Sequence, residues 1–176
     1  PDTPLALSYL GIFAENRGDF GEALKYYKKA VEVDPESPQH HYNLALFYSN
    51  RLKDYPACEK ELLEAQKRGL NIKYHMLYAS CAIKQNLPEA EVIRRLKRSI
   101  DAGTQQAQML KAEDLKDDGP FAAVWLNAVN ELAARGSDYG VEKLQALYEN
   151  PPNPDVKAFA MGLIKRANRP NPTEGD

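Results

Sequence analysis

Three histidines are the residues of this chain best suited to bind a metal ion or to transfer protons near neutral pH: His40, His41 and His75. His40 and His41 are adjacent, so on a helix their side chains point about 100° apart and cannot chelate one ion together. Around His75 no carboxylate or thiol completes a set with the spacing of a zinc site. We therefore expect surface or packing histidines and predict no metal site.

Two charged clusters could bind ions. The basic run 94–98, RRLKR, could bind a phosphate, but Glu91 and Asp101 lie nearby and favour a solvated helix face of mixed charge. The acidic cluster consists of Glu113, Asp114, Asp117 and Asp118. It lacks the Gly-punctuated twelve-residue loop that binds calcium, and Asp118 is expected to cap the next helix. Neither cluster predicts a site.

The two cysteines, Cys58 and Cys81, stand where the helical pattern places small or buried residues. Reduced cysteines that pack as small hydrophobic side chains are the favoured interpretation. A disulfide between them is conceivable, but two cysteines do not make a disulfide framework.

No motif for nucleophilic catalysis or nucleotide binding occurs. There is no Ser in a G-x-S-x-G setting, no Cys paired with a His by spacing, no phosphate loop and no dinucleotide fingerprint. A net charge of -2 over 176 residues gives no drive toward nucleic acid or an anionic membrane. No apolar run approaches the roughly 20 residues that span a bilayer. We predict a non-enzymatic protein with no cofactor, no nucleic-acid partner and no direct membrane insertion.

The first residues are PDTPLAL, with neither a Met nor a signal-like segment. We expect an excised fragment or a processed product of a soluble protein. Whether its compartment is cytoplasmic or periplasmic stays open.

The stretch 10–35 contains the pattern around which the chain is organised, two short amphipathic helices joined by a tight turn. Gly11 and Ala23 allow two helix backbones to approach closely, and Tyr27 fills the space beside them. Pro35 cannot continue a helix and ends the second one.

The pattern recurs twice. A step of 34 residues leads from Leu10, Gly11 and Ala14 to Leu44, Ala45 and Tyr48. A step of 35 leads from Phe20, Ala23, Tyr27 and Ala30 to Tyr55, Cys58, Leu62 and Ala65, so the turn 49–55 holds one extra residue. A further step of 34 leads from Cys58, Leu62, Ala65 and Gly69 to Val92, Leu96, Ser99 and Gly103.

These residues and their period resemble the tetratricopeptide repeat, a helix pair of about 34 residues. The resemblance implies an all-α fold, a right-handed superhelix of about three repeats at 4–37, 38–71 and 72–103, that serves protein–protein interaction. The sequence departs from the family pattern at Leu7, where Trp is usual, and at Ala14, where Tyr is usual.

Capping residues place the helix ends. Helix N-caps are predicted at Thr3, Asp19, Asp54 and Asn71. Gly69 and Gly103 stand where the repeat usually has Pro, and we predict that both end their helices in the left-handed conformation.

Beyond the third repeat the period fails. The pairs Asp114-Leu115 and Pro120-Phe121 resemble the segment that ends some bacterial tetratricopeptide arrays, which implies a helical C-terminal cap over 104–168. Trp125 is expected to pack against the second helix of the third repeat. The tail 169–176 is rich in Pro and polar residues and is predicted to be disordered.

The first helix is apolar nearly all the way round, whereas a terminal repeat helix that faces water should be polar on its outer side. We expect an upstream repeat or a partner to cover it. Self-assembly into a homo-oligomer through this helix is therefore the alternative function. A regulatory fragment of a larger protein is a third possibility.

The resemblance also implies where a partner binds, because the first helix of each repeat lines the concave groove. The partner-binding residues predicted there are Ser8, Ile12, Glu15, Tyr42, Asn43, Leu46, Ser49, Asn50, Tyr74, Tyr78 and Lys84. Asn side chains can donate and accept hydrogen bonds, and Tyr gives contact area at low entropic cost. Tyr42, Asn43, Asn50, Tyr78 and Lys84 are expected to form one patch that binds a peptide or helix of a partner protein. Packing against neighbouring helices alone is an equally good interpretation of Leu46.

Overall fold

The computed structural model describes residues 3–116 and 119–167. Its helices are α1 (Pro4–Asn16), α2 (Phe20–Val33), α3 (Pro38–Phe47), α4 (Tyr55–Arg68), α5 (Ile72–Lys84), α6 (Glu89–Met109), α7 (Pro120–Ala133), α8 (Tyr139–Glu149) and α9 (Pro154–Ala167). A π-helical turn and a 3-10 turn occupy Tyr48–Leu52 and Ala112–Asp114. The two described ranges contain no strand, so the all-α fold class is confirmed. The predicted disordered tail 169–176 and the acidic residues Asp117 and Asp118 lie outside the described residues.

The chain folds into two compact units. Unit 1 is the chain up to Leu70 together with Leu77–Leu87, and it contains α1 to α4 and the end of α5. Unit 2 is Asn71–Met76 together with the chain from Pro88 onward, and it contains α6 to α9. The repeat bounds 4–37, 38–71 and 72–103 and the cap at 104–168 stay predictions. Neither described range contains a helix with the length and apolar character that crossing a bilayer requires.

Side-chain caps fix the N-terminal ends of α2 and α4 in unit 1. The Asp19 carboxylate accepts a hydrogen bond from the Glu22 amide at 3.0 Å, and the Asp54 carboxylate accepts one from the Ala57 amide at 3.1 Å. Each bond satisfies one of the amides that a helix start leaves without an intrahelical acceptor. The predicted caps at Asp19 and Asp54 are confirmed.

Helices α1 and α2 pack through Gly11. A Cβ atom at Gly11 would lie 2.9 Å from the Tyr27 ring, closer than carbon atoms approach in a packed core. Tyr27 is buried and belongs to a cluster with Ala14, Ala23, Leu44 and Phe47. The absence of a side chain at Gly11 therefore makes room for the ring of Tyr27, and the aromatic ring joins the first helix pair to α3.

The extra residue of the second repeat is absorbed in one π-helical turn. The turn Tyr48–Leu52 follows α3 directly, and Lys53 then adopts a left-handed conformation at φ 56°. The amide of Asp54 donates to the Tyr48 carbonyl at 3.1 Å, which closes the turn. A π-helical turn holds one residue more than an α-helical turn. Asp54 thus reaches the capping position of α4 despite the longer spacing.

The two glycine C-caps were predicted wrongly. Gly69 does end α4, but its φ of -171° is ordinary extended backbone. Gly103 does not end a helix, because α6 continues to Met109. A Cβ atom at Gly103 would lie 2.7 Å from Ile72 Cδ1 and 3.5 Å from the Trp125 ring, so this glycine allows two side chains to pack onto the backbone of α6.

The core of unit 2 is aromatic. Trp125 of α7 packs against Gly103 of α6, as predicted, and its ring centre lies 5.7 Å from that of Phe159 in α9. Phe121 completes a cluster of three rings, 5.9 Å from Trp125 and 5.5 Å from Phe159. On α7, Phe121, Trp125 and Leu126 are buried and Val124 is half-buried. These rings connect α6, α7 and α9.

Candidate functional site

A cleft of about 210 Å³ lies in unit 1 where α1, α2 and α3 meet the π-helical turn. Its lining residues are Ile12, Glu15, Tyr27, Asn43, Leu46, Phe47 and Asn50. Five of the eleven residues predicted to bind a partner are thereby brought together: Ile12, Glu15, Asn43, Leu46 and Asn50. Asn43 and Asn50 reach the same cleft because one lies on α3 and the other on the π-helical turn that continues it.

The charged side of the cleft is internally neutralised. Glu15 accepts a hydrogen bond from the Tyr27 hydroxyl at 2.9 Å and another from Arg51 Nε at 2.7 Å. Burial and the bond to Glu15 raise the pKa of Tyr27, so its hydroxyl stays a donor at neutral pH. Glu15 is mostly buried and Arg51 about half exposed. A bound ligand therefore meets a fixed ion pair rather than a free carboxylate.

The amide side of the cleft is open to solvent. The Asn43 side-chain oxygen accepts from Gln39 Nε2 at 2.7 Å, which orients the Asn43 nitrogen as a donor. Asn50 is exposed, and its main-chain carbonyl accepts from Lys53 Nζ at 2.8 Å. Side-chain amides in such a position can bind the donors and acceptors of a peptide backbone.

The other predicted residues do not line this cleft. Ser8 is buried, with its hydroxyl 3.1 Å from His40 Nδ1, and Ser49 is fully buried. Lys84 lies 3.4 Å from the Ser49 hydroxyl and over the ring of Tyr55. Tyr42 and Tyr78 are half-buried. The expected single patch of Tyr42, Asn43, Asn50, Tyr78 and Lys84 is therefore represented in the cleft only by its two asparagines.

Tyr74 is buried, and it belongs to unit 2. Its burial indicates a packing role for the ring, and the same burial raises the pKa of its hydroxyl. The Tyr74 side chain therefore offers almost no exposed surface for the predicted contact with a partner.

Sequence reasoning missed two lining residues of the cleft, Tyr27 and Phe47, and also Arg51, which pairs with the lining residue Glu15. Tyr27 and Phe47 follow the packing pattern of the repeat, and that pattern does not show that one edge of each ring borders a cavity. Arg51 lies in the turn 49–55, outside the first-helix positions from which the groove was assigned. The positive charge of Arg51, opposite to that of Glu15, could have indicated that the two residues form an ion pair.

The histidines are packing residues. His41 is buried between the Glu61 carboxylate at 2.7 Å and the Pro35 carbonyl at 2.9 Å. Burial lowers the pKa of His40, although Asp34 partly opposes this shift. Burial and the charge of Arg98 lower the pKa of His75. In the described ranges no group of three or more potential ligands could hold a metal ion.

Acidification is expected to destabilise the fold through His40 and His75. Because their pKa values are lower when folded, the unfolded chain binds protons first as the pH falls through its ordinary histidine value of about 6.5. The stability they contribute is complete above that value and is lost below it. Urea midpoints should fall between about pH 7.5 and about pH 5.5, and the double variant His40→Asn, His75→Asn should show a flatter dependence. An equally steep dependence in the double variant would contradict this assignment.

A second surface lies on the outer side of α1. Leu5, Tyr9 and Phe13 are 63%, 64% and 61% exposed. A shallow apolar groove of about 650 Å³ is lined by Ala6, Tyr9, Leu10, Ile12, Phe13 and Asn16. Isolated exposed apolar residues are common, whereas a continuous row along one helix is not. The expectation that an upstream repeat or a partner covers this face stays a prediction.

Comparison with known proteins agrees with the helix pattern. The TPR repeat family matches residues 16–50, which cover α2 and α3. Over 94% of its length the chain is 24% identical to cellulose synthase operon protein C of Pseudomonas fluorescens (strain SBW25), and it spans only 15% of that relative. It is also similar to YrrB, described as a TPR protein with an unusual peptide-binding site, at 17% identity and a TM-score of 0.47 over 91% of this chain and 92% of YrrB. That structural likeness is too distant to carry an argument about binding.

Proteins of this family are in general non-catalytic scaffolds for protein–protein interaction. The match at 16–50, the recurring period and the packed helix pairs agree, and residues 16–50 are similar to a tetratricopeptide repeat.

Proposed function

We propose that unit 1 binds an extended peptide segment of a partner protein through the cleft of Ile12, Glu15, Asn43, Leu46 and Asn50. The observation that carries this proposal is the pairing of an apolar floor with two side-chain amides in one cleft. An apolar side chain of the peptide would contact Ile12 and Leu46. The amides of Asn43 and Asn50 would hydrogen-bond the peptide backbone on either side.

The size of the cleft favours a peptide side chain over a cofactor. Small-molecule sites usually measure about 300–1,000 Å³, and this cleft has about 210 Å³. A cleft of that size suits an anchor residue, with the rest of the peptide lying on the surface around it.

Because the charged groups at the cleft are already paired, the cleft does not require a charged residue in the peptide. Glu15 is already paired with Arg51 and Tyr27, so a cationic ligand would have to displace Arg51 to gain a carboxylate. Binding that depends on apolar contact and neutral amides should change little with ionic strength, because salt screens interactions between exposed charges.

Selection from a phage-displayed library of short random peptides tests this function. The wild-type chain is expected to enrich peptides that share one apolar position. The variant Asn43→Ala, Leu46→Ala should bind the selected peptide about tenfold or more weakly, since a lost hydrogen bond and lost apolar contact each contribute on the order of 1 kcal/mol. The control is Asn127→Ala, which changes an exposed amide on α7 and should leave binding unchanged.

Two results would contradict the proposal that the peptide binds in this cleft. One is unchanged affinity of the double variant. The other is loss of binding in Arg94→Ala, which changes an exposed charge of α6 and would place the binding surface there.

Self-association through α1 is the second candidate, favoured by the exposed row of Leu5, Tyr9 and Phe13. A second copy that covers this row would remove its apolar surface from water. Size-exclusion chromatography with light scattering should then give a mass that rises with concentration and returns to the monomer mass in Phe13→Asp. A monomer at all concentrations would exclude this role, and it would leave the peptide cleft unaffected.

A further inference from the structure

Two buried thiols of unit 1 lie in contact. Cys58 on α4 and Cys81 on α5 have their sulfur atoms 3.1 Å apart, both side chains have no exposed surface, and both are free. A disulfide bond measures about 2.05 Å, so an approach of about 1 Å would turn this contact into a bond. We propose that Cys58 and Cys81 form an oxidation site that reacts with hydrogen peroxide and ends as an intramolecular disulfide. This inference does not depend on the peptide cleft.

The surroundings make the two sulfurs unequal. The hydrogen bond between the two thiols lowers the pKa of Cys81, with help from Ser49 and the charge of Lys84, although burial and the charge of Glu59 oppose this shift. The same bond to Cys81, together with burial, raises the pKa of Cys58. Lys84 approaches the pair from solvent, 3.4 Å from the Ser49 hydroxyl. Cys81 is therefore the attacking sulfur and Cys58 the resolving one, because the thiolate is the nucleophile.

The reaction balances with one molecule of hydrogen peroxide. The Cys81 thiolate attacks one peroxide oxygen, the O–O bond breaks, and the departing hydroxide takes up a proton to leave as water. The sulfur is now a sulfenic acid. The Cys58 sulfur then attacks Cys81, the S–O bond breaks, and the oxygen leaves as a second water with the Cys58 proton. Two thiols lose two electrons, and the peroxide gains them.

Burial decides which oxidant and which product are favoured. A small peroxide needs only a local opening of the helix pair, whereas a bulky thiol reagent needs a larger one. Because the resolving sulfur already touches Cys81, the sulfenic acid is consumed before a second peroxide can oxidise it to the irreversible sulfinic acid.

Mass spectrometry of the full chain tests the proposal. The protein is treated with hydrogen peroxide, quenched with catalase, unfolded and alkylated with N-ethylmaleimide. The expected product is a monomer about 2 Da lighter than the reduced chain, without alkyl groups, that dithiothreitol restores. Two alkylated thiols, a sulfinic acid, or disulfides only between chains would each overturn the proposal.

Single variants assign the roles of the sulfurs. Cys58→Ala introduces the residue that the first repeat has at the matching position, Ala23, so it should fold. In this variant Cys81 should accumulate a sulfenic acid that dimedone traps, whereas Cys81→Ala should yield little adduct at Cys58. The reverse pattern would overturn the assignment of roles. The mass of the oxidised wild-type chain shows whether the disulfide forms, even if a variant does not fold.

Discussion

Replacing Trp125 by Ala is expected to lower the stability of unit 2 by about 3–5 kcal/mol, the usual cost of removing a fully buried aromatic side chain. Trp125 has no exposed surface, and its ring packs against Gly103, Phe121 and Phe159. The cavity left behind would be bordered by three helices that cannot all move inward. Urea unfolding followed by circular dichroism measures the effect.

Trp125→Phe is the matched control and should cost much less. The indole nitrogen of Trp125 is buried, and among residues 3–116 and 119–167 it has no hydrogen-bond partner. Removing that N–H deletes a polar group that is buried at a cost, which offsets part of the lost ring contact. If Trp125→Ala and Trp125→Phe lowered the stability equally, the cavity would not be the cause of the loss.

Replacing Phe47 by Ala is expected to have an effect of similar size in unit 1, again about 3–5 kcal/mol. Phe47 is 1% exposed, and its ring centre lies 5.4 Å from that of Tyr27 and 6.2 Å from that of Phe20. It therefore links α2 to α3. The urea midpoint of the variant measures the loss.

Phe13→Ala is the control in the same unit. Phe13 is 61% exposed on α1, so its removal should change the midpoint little. If Phe13→Ala destabilised the chain as much as Phe47→Ala, the outer face of α1 would have to be covered in solution. That result would favour self-association.

The helix starts could be predicted from sequence because a cap is a local interaction. Asp19 and Asp54 each bond an amide three residues ahead, and nothing distant is needed to make that bond. The helix pair at Gly11 and Tyr27 was likewise accessible, since the repeat period shows which residues face each other.

The role of Gly103 could not be predicted by the same reasoning. A glycine that ends a helix and a glycine on which a ring packs are identical in sequence, and the difference lies in Ile72 and Trp125. The composition of the cleft was only partly accessible for a similar reason. The first-helix positions predicted Ile12, Glu15 and Asn43, but Arg51, the partner of Glu15, comes from a turn whose conformation depends on one extra residue.

Because of that extra residue, the length of the chain can vary at the π-helical turn Tyr48–Leu52 without rotating the helices that follow. One residue inserted into a continuous α-helix turns everything after it by about 100°, which would move a buried face toward solvent. Here the turn and the left-handed Lys53 take up the difference before α4 begins. A one-residue deletion within 48–52 should therefore be tolerated, with the turn reverting to ordinary α-helical bonding. Insertions and deletions among descendants of this gene are expected to collect at this position, at the border of the cleft, so the shape of the binding surface can diversify while the core stays in register.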